Sequence, residues 1–153
     1  MNPLLTYKIF NWNQKTRKLS PYSLDWEWPY WRIVKASCRH GHEAPADNCS
    51  CGIYSTLDAL SIAQIPHCKV EDVMPIVGVI QNLGRVVIDR KMVRSERAFL
   101  YGVVLPSEVY DNDDLRMTWR DDFFYSYRCI AFNDIRVAHL HSVDNSWRQW
   151  GLK

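Results

Sequence analysis

The stretch Val73-Met-Pro-Ile-Val-Gly-Val-Ile-Gln-Asn-Leu-Gly-Arg-Val-Val-Ile-Asp89 decides the reading of the fold. β-Branched and apolar residues lie on both sides of Asn82-Leu83-Gly84 without a helical period, which predicts two paired strands, 73–81 and 84–89, reversing at 82–84. Ala98 to Leu105 supplies a third strand. Upstream, Leu5-Thr-Tyr-Lys-Ile-Phe10 alternates like a strand, and the polar run Asn11 to Lys18 predicts a reversal. Trp26, Trp28 and Trp31 surround Pro29 and lead into a second upstream strand, Arg32-Ile-Val-Lys35. Downstream, Phe123 to Phe132 and Ile135 to His141 add two more. Only Ser55 to Pro66 reads as a helix, with Asp58 near its start and apolar Leu57, Leu60 and Ile62 on one side. Strand signals without long helical crossovers predict a β-rich α+β fold: a twisted, largely antiparallel sheet or partial barrel, one or two short helices and a metal-clamped loop.

With 153 residues, 47% hydrophobic and 24% charged, a single domain over 1–153 is expected. Aromatic residues at 13% exclude a disordered chain. No run is long and apolar enough for a membrane span, and Met1 to Lys18 lacks an apolar signal core, so the expected location is cytoplasmic. The formal net charge of +2 conceals an asymmetry. Residues 1–39 carry seven basic side chains against Asp25 and Glu27, whereas 107–153 carry eight acidic against six basic. A partner responds to such local fields rather than to their sum.

Five cysteines cannot all pair within one chain, and three of them, Cys38, Cys49 and Cys51, fall in one loop without periodicity. The loop reads Ser37-Cys-Arg-His-Gly-His-Glu-Ala-Pro-Ala-Asp-Asn-Cys-Ser-Cys-Gly-Ile-Tyr54. Zinc takes four sulfur or nitrogen donors in a tetrahedron, and Cys38, His42, Cys49 and Cys51 form such a set, with His40 a rival to His42. Pro45 favours the reversal that brings the two halves together. Cys49 and Cys51, two apart, chelate only if the chain bends at Ser50, and Gly52 can take the dihedral this needs. Free thiols with solvated histidines fit the same residues, and a disulfide fits a cytoplasmic chain least well. Four protein donors make a zinc structural, because a catalytic zinc keeps one position for water. The zinc-deaminase pattern fails, since His42 and Glu43 are adjacent and the thiols have one spacer. The His-Glu-x-x-His protease pattern fails at Ala46.

The run Cys38-x-x-x-His42-Glu-Ala-Pro45-x-x-x-Cys49-x-Cys51-Gly-Ile-Tyr54, followed by Ile76-Val-Gly-Val-Ile80 and Gly84-Arg-Val-Val87, resembles an uncharacterised family of small actinobacterial and phage proteins. The resemblance stops at Pro106. It implies that the cysteines and histidine act as a unit, compatible with a shared metal, in a bacterial or phage cytoplasmic protein.

Other groups are simpler. His139-Leu-His141 lacks a third ligand in register, and a Cys129, Asp134 and His139 nucleophile arrangement is no better founded than an inert buried thiol. The acidic run Asp111-Asn-Asp-Asp114 reads as a solvated loop. Arg85, Arg90, Lys91, Arg94 and Arg97 form a basic cluster that fits a nucleic-acid backbone or a merely solvated face. Strand tryptophans are core more often than stacking platforms. Together these features predict a non-enzymatic binding protein with one structural zinc, engaging a protein or nucleic acid; no membrane or small-molecule substrate is indicated. The competing class is a metal-dependent enzyme using His40, His42 and Glu43 with an open coordination position.

Overall fold

The computed structural model describes residues 4–22, 24, 26–63 and 72–139. It contains strands β1 (Leu4–Asn13), β2 (Lys18–Pro21), β3 (Val34–Lys35), β4 (Ile53–Thr56), β5 (Val73–Asp89), β6 (Met92–Val104) and β7 (Ile130–Phe132). The helices are α1 (Ala59–Ala63), α2 (Ser107–Tyr110) and α3 (Asp113–Asp122).

The 73–89 stretch is one strand rather than two, so the reversal expected at 82–84 is not there. β5 runs on to Asp89, turns at Arg90 and Lys91, and pairs along its length with β6, which absorbs the strand expected at 98–105. Asn82-Leu83-Gly84 marks a bulge: the register slips between Leu83 and Val86, and Gly84 takes φ +73°. Glu96 Oε2 accepts the Arg85 N–H there at 3.1 Å. A left-handed glycine serves a bulge as well as a tight turn, which is why the sequence pattern misplaces the reversal.

β1 and β2 form the expected hairpin. Asn13 Oδ1 accepts the N–H groups of Lys15 (3.0 Å) and Thr16 (2.9 Å), and Arg17 is left-handed at φ +57°. β5 pairs β1 on one edge and β6 on the other; β6 also pairs β4, and β4 returns to β1 through Tyr7 and Thr56. The path β1-β5-β6-β4-β1 therefore closes on itself as a small partial barrel. β2 extends it beside β1, and β3 and β7 extend β6, with β6–β7 the parallel pairing among otherwise antiparallel ones. A second register shift in β5–β6, between Val79 and Ile80, adds to the curvature that closure requires.

Four sequence expectations need correction. The helix expected from Ser55 starts later, because Ser55 belongs to β4; Asp58 caps α1 by accepting the Ser61 N–H at 3.1 Å and hydroxyl at 2.7 Å. Phe123 to Phe132 is mostly not strand. α3 continues into a π-helical turn, Phe123–Tyr127, that ends at left-handed Arg128, leaving only β7 extended. Aromatic β-propensity gives way here to the i,i+4 burial of Phe123 and Tyr127. Residues 135–139 are helical rather than extended, and 140 and 141 lie outside the described residues, as does Cys68. The acidic run is only half loop: Asp111 and Asn112 connect α2 to α3, Asn112 caps α3 by accepting the Leu115 N–H at 3.1 Å, and Asp113 and Asp114 sit favourably in the first turn.

Alternation along β1 sends Thr6, Lys8, Phe10 and Trp12 to the same face. Thr6, Phe10 and Trp12 are fully buried there. Trp12 packs on Phe123 (4.5 Å between ring centroids) and Trp119 (5.9 Å), and Phe10 meets Trp28 edge-on at 5.1 Å. Thr6 donates to Ser55 Oγ at 2.7 Å and accepts from Asn82 Nδ2 at 2.6 Å, fixing a polar layer at the other end. Gly78 leaves room for the Phe10 ring, since a Cβ there meets Phe10 Cε2 at 2.5 Å. Gly78→Ala should therefore lower the unfolding free energy by about 1–3 kcal/mol in urea denaturation; an unchanged midpoint would show that Phe10 is not locked in place.

Candidate metal centre

Residues 37–52 connect the end of β3 to the start of β4, whose partner on the far side is β6. The first half of this loop turns at Cys38, with Gly41 N–H donating to the Cys38 carbonyl at 3.1 Å and Gly41 at φ +80°. His40 N–H donates to Cys38 Sγ at 3.4 Å. The second half turns at Ala46, whose carbonyl accepts the Cys49 N–H at 3.3 Å. Between the turns, Ala44 and Pro45 are buried and joined by a cis peptide bond.

These turns bring four side chains together. One ligand atom from each of Cys38, His42, Cys49 and Cys51 lies within 4.8 Å of the others, an arrangement compatible with a metal ion. Cys38 Sγ is 3.7 Å from Cys49 Sγ and 3.4 Å from His42 Nε2. Around a tetrahedral metal with bonds of about 2.3 Å to sulfur and about 2.0 Å to nitrogen, such pairs stand about 3.8 Å and about 3.5 Å apart. These two spacings match such a site, and Cys51 Sγ lies 3.8 Å from His42 Nδ1. His42 Nδ1 lies 3.4 Å from the Glu43 carbonyl, and donation there leaves Nε2 with its lone pair for a metal. Cys38, Cys49 and Cys51 are half-buried and not disulfide-bonded.

The backbone also tunes the thiols. The Cys51 N–H donated to Cys49 is the main reason that thiol is held down to about 7, with hydrogen bonds from the neighbouring side chains adding to it. Cys38 also gains from the His40 N–H, but desolvation and the adjacent thiols outweigh it and push the group up. Sulfurs that receive N–H bonds in this way are suited to metal-bound thiolate.

Of the two histidines, the structure brings His42 into the cluster. The ring of His40 lies outside it, its centroid 6.2 Å from that of His42. The chain bends at Cys49 and Gly52 rather than at Ser50 itself, and the Ser50 carbonyl accepts the Tyr54 hydroxyl. Gly52 adopts φ +129°, and a side chain there would press on Pro45 and Arg94.

The basic cluster is dispersed in function. Arg85 pairs with Asp47 (3.1 Å), Lys91 with Asp58 (2.6 Å) and Arg97 with Glu96 (3.4 Å), while Arg90 sits at the β5–β6 turn. Arg94 differs. Its Nη1 donates to the carbonyls of Ala46, Cys49 and Cys51, with 3.2 Å to Ala46 and 3.1 Å to Cys51. This guanidinium is the main anchor of the loop from β6, and sequence reading missed the role. The signal becomes visible only in the register, which sets Arg94 opposite Tyr54.

The other drawn constellation does not assemble. Cys129 is buried with Sγ toward the Phe123 carbonyl at 3.9 Å, Asp134 is paired to Arg136 at 2.7 Å, and His139 Nδ1 meets the Tyr7 hydroxyl at 3.3 Å. No protein-family model matches the chain, and no curated protein or solved structure shows significant similarity to it, so the chemistry of the site rests on its geometry.

Two outcomes follow. Arg94→Met should leave the far-UV circular dichroism unchanged while weakening metal binding about 10–100-fold in chelator competition, as loss of a ligand-orienting contact does. Burial pushes the Cys129 thiol up to about 12, so it stays protonated and inert at pH 8. Alkylation of the native protein at that pH should spare Cys129 until denaturant is added, read by peptide mass spectrometry.

Proposed function

We propose that Cys38, His42, Cys49 and Cys51 hold one structural zinc, and that the chain is a non-enzymatic cytoplasmic binding protein whose metal-fixed loop helps to present a basic and aromatic surface. The observation that carries this reading is the convergence of the four ligand atoms within 4.8 Å of one another, with the two Cys38 distances close to tetrahedral values. Three thiolates and an imidazole suit zinc and do not suit calcium or magnesium, which take oxygen ligands. Four protein donors fill the tetrahedron and leave no position for a water to be activated. A catalytic metal using His40 and Glu43 would require one of these donors to give way. Unpaired thiols favour a reducing compartment.

The partner reading rests on what surrounds the loop. Trp31 is 64% exposed, and Leu24, Trp26 and Tyr30 are also exposed on the segment leading to Cys38. Arg85, Lys91 and Arg97 are held in exposed ion pairs worth about 0–1 kcal/mol, which a phosphate or carboxylate partner can replace. A protein or a nucleic acid satisfies these groups.

Metal analysis of reduced, purified protein should find one zinc per chain, lost in the Cys49→Ser, Cys51→Ser variant; sub-stoichiometric zinc in the reduced native chain would sink the site. Chelation should open Arg39 to trypsin while the barrel persists, because none of the four candidate ligands belongs to its hydrophobic core. For nucleic acid, affinity should fall steeply with salt and on neutralising Arg90 and Lys91. A flat salt response removes nucleic acid and leaves a protein partner.

A further inference from the structure

A cavity of about 640 Å³ opens between the inner face of β1, the 26–28 segment, β3 and the start of β4. That volume falls within the range of small-ligand sites. Its walls include Ser37 and Gly52, the residues immediately flanking Cys38 and Cys51, so the two ends of the metal loop shape it. Trp28 and Ile53 are buried parts of the lining, and Trp26 and Lys35 are exposed at the rim.

The lining has a definite chemistry. Lys8 and Lys35 are its charged residues, and neither has a carboxylate within ion-pair distance among the described residues. Lys8 comes from the inward face of β1 and gives one hydrogen bond, 2.9 Å to the Tyr54 carbonyl, although an ammonium has three to give. Desolvation lowers it to about 8, the mark of a cation held without a counter-ion. Trp26 stacks on Trp28 with centroids 5.5 Å apart and planes at 22°. Positive charge with unmet donor capacity and a stacked indole pair thus line one space.

We propose that this cavity binds a flat heteroaromatic ring carrying an anionic group, the chemistry of a nucleotide, with the ring stacked against Trp26 and the anion between Lys8 and Lys35. The ligand comes either as a free mononucleotide or as the phosphorylated end of a single strand. The proposal goes beyond the binding reading above, which names a protein or a nucleic acid, and its test does not depend on the metal, so the two can fail separately.

Calorimetry of the full-length chain at low salt tests this with four probes: adenosine 5′-monophosphate, adenosine, inorganic phosphate and a 5′-phosphorylated single-stranded oligothymidylate. The monophosphate should saturate one site, with adenosine and phosphate each at least about tenfold weaker. Trp26→Ala and Lys8→Gln should each cost about tenfold or more in monophosphate affinity. Lys35→Gln, on an exposed side chain, provides a variant whose folding is not in question and should weaken binding in the same direction. Equal affinity for the monophosphate and the oligonucleotide identifies a free nucleotide as the ligand, and tighter binding of the oligonucleotide identifies a strand end. The proposal is overturned if neither phosphorylated probe saturates, if adenosine or phosphate alone matches the monophosphate, or if Trp26→Ala and Lys35→Gln bind as the native chain does.

Discussion

The pairing of β5 with β6 is the constraint on which the rest of the molecule depends. A strand of 17 residues facing one of 13 would, if regular, give a long twisted ribbon with exposed edges. The two register shifts bend that ribbon so that one half receives β1 and the other receives β4. Closure between β1 and β4 at Tyr7 and Thr56 then needs only a single pairing. Glu96 is central to one of these bends: its side chain occupies the space that a Cβ at Gly84 would claim and takes the Arg85 N–H.

The same hairpin joins the barrel to the candidate metal centre. Along β6, Val93 and Ser95 are fully buried, and the residue between them, Arg94, turns outward. Its guanidinium gathers carbonyls on both sides of the Cys49-Ser50-Cys51 bend. Charge-assisted donation to several carbonyls is directional and strong for its size. The loop is thus fixed by a covalent connection at each end and an arginine from beneath, with four further bonds available to a metal ion. It needs no hydrophobic core of its own.

How much of this the sequence disclosed follows from the range of the interactions. The β-rich class and the β1–β2 hairpin were legible because alternation and turn residues are local signals. The proximity of Cys38, His42, Cys49 and Cys51 was legible because soft ligands clustered in a loop of turn formers have few other uses. The reversal at 82–84 was misread because a glycine that permits a left-handed backbone does not say whether the chain turns or bulges. Phe123 to Tyr127 was misread because its β-forming aromatics are claimed by Trp12, a residue far away in sequence. Arg94 was read only as one of a basic cluster and Lys8 not at all, since their roles exist only once register puts a carbonyl or a cavity in front of them.

The contact of Trp12 with Phe123 and Trp119 has a consequence for how the chain is made. Leu19, in β2, donates its buried N–H to the Tyr127 hydroxyl at 2.7 Å, across 108 positions. When the β1–β2 hairpin leaves the ribosome it therefore lacks both the rings that cover its inner face and the acceptor for this amide. It is completed by elements synthesised well after it, and the closure entropy of that long loop is met before its contacts form. Such a topology folds slowly relative to a helical chain of equal size. Until then the N-terminal hairpin, with its apolar face uncovered, is the part of the nascent protein with most to gain from a chaperone.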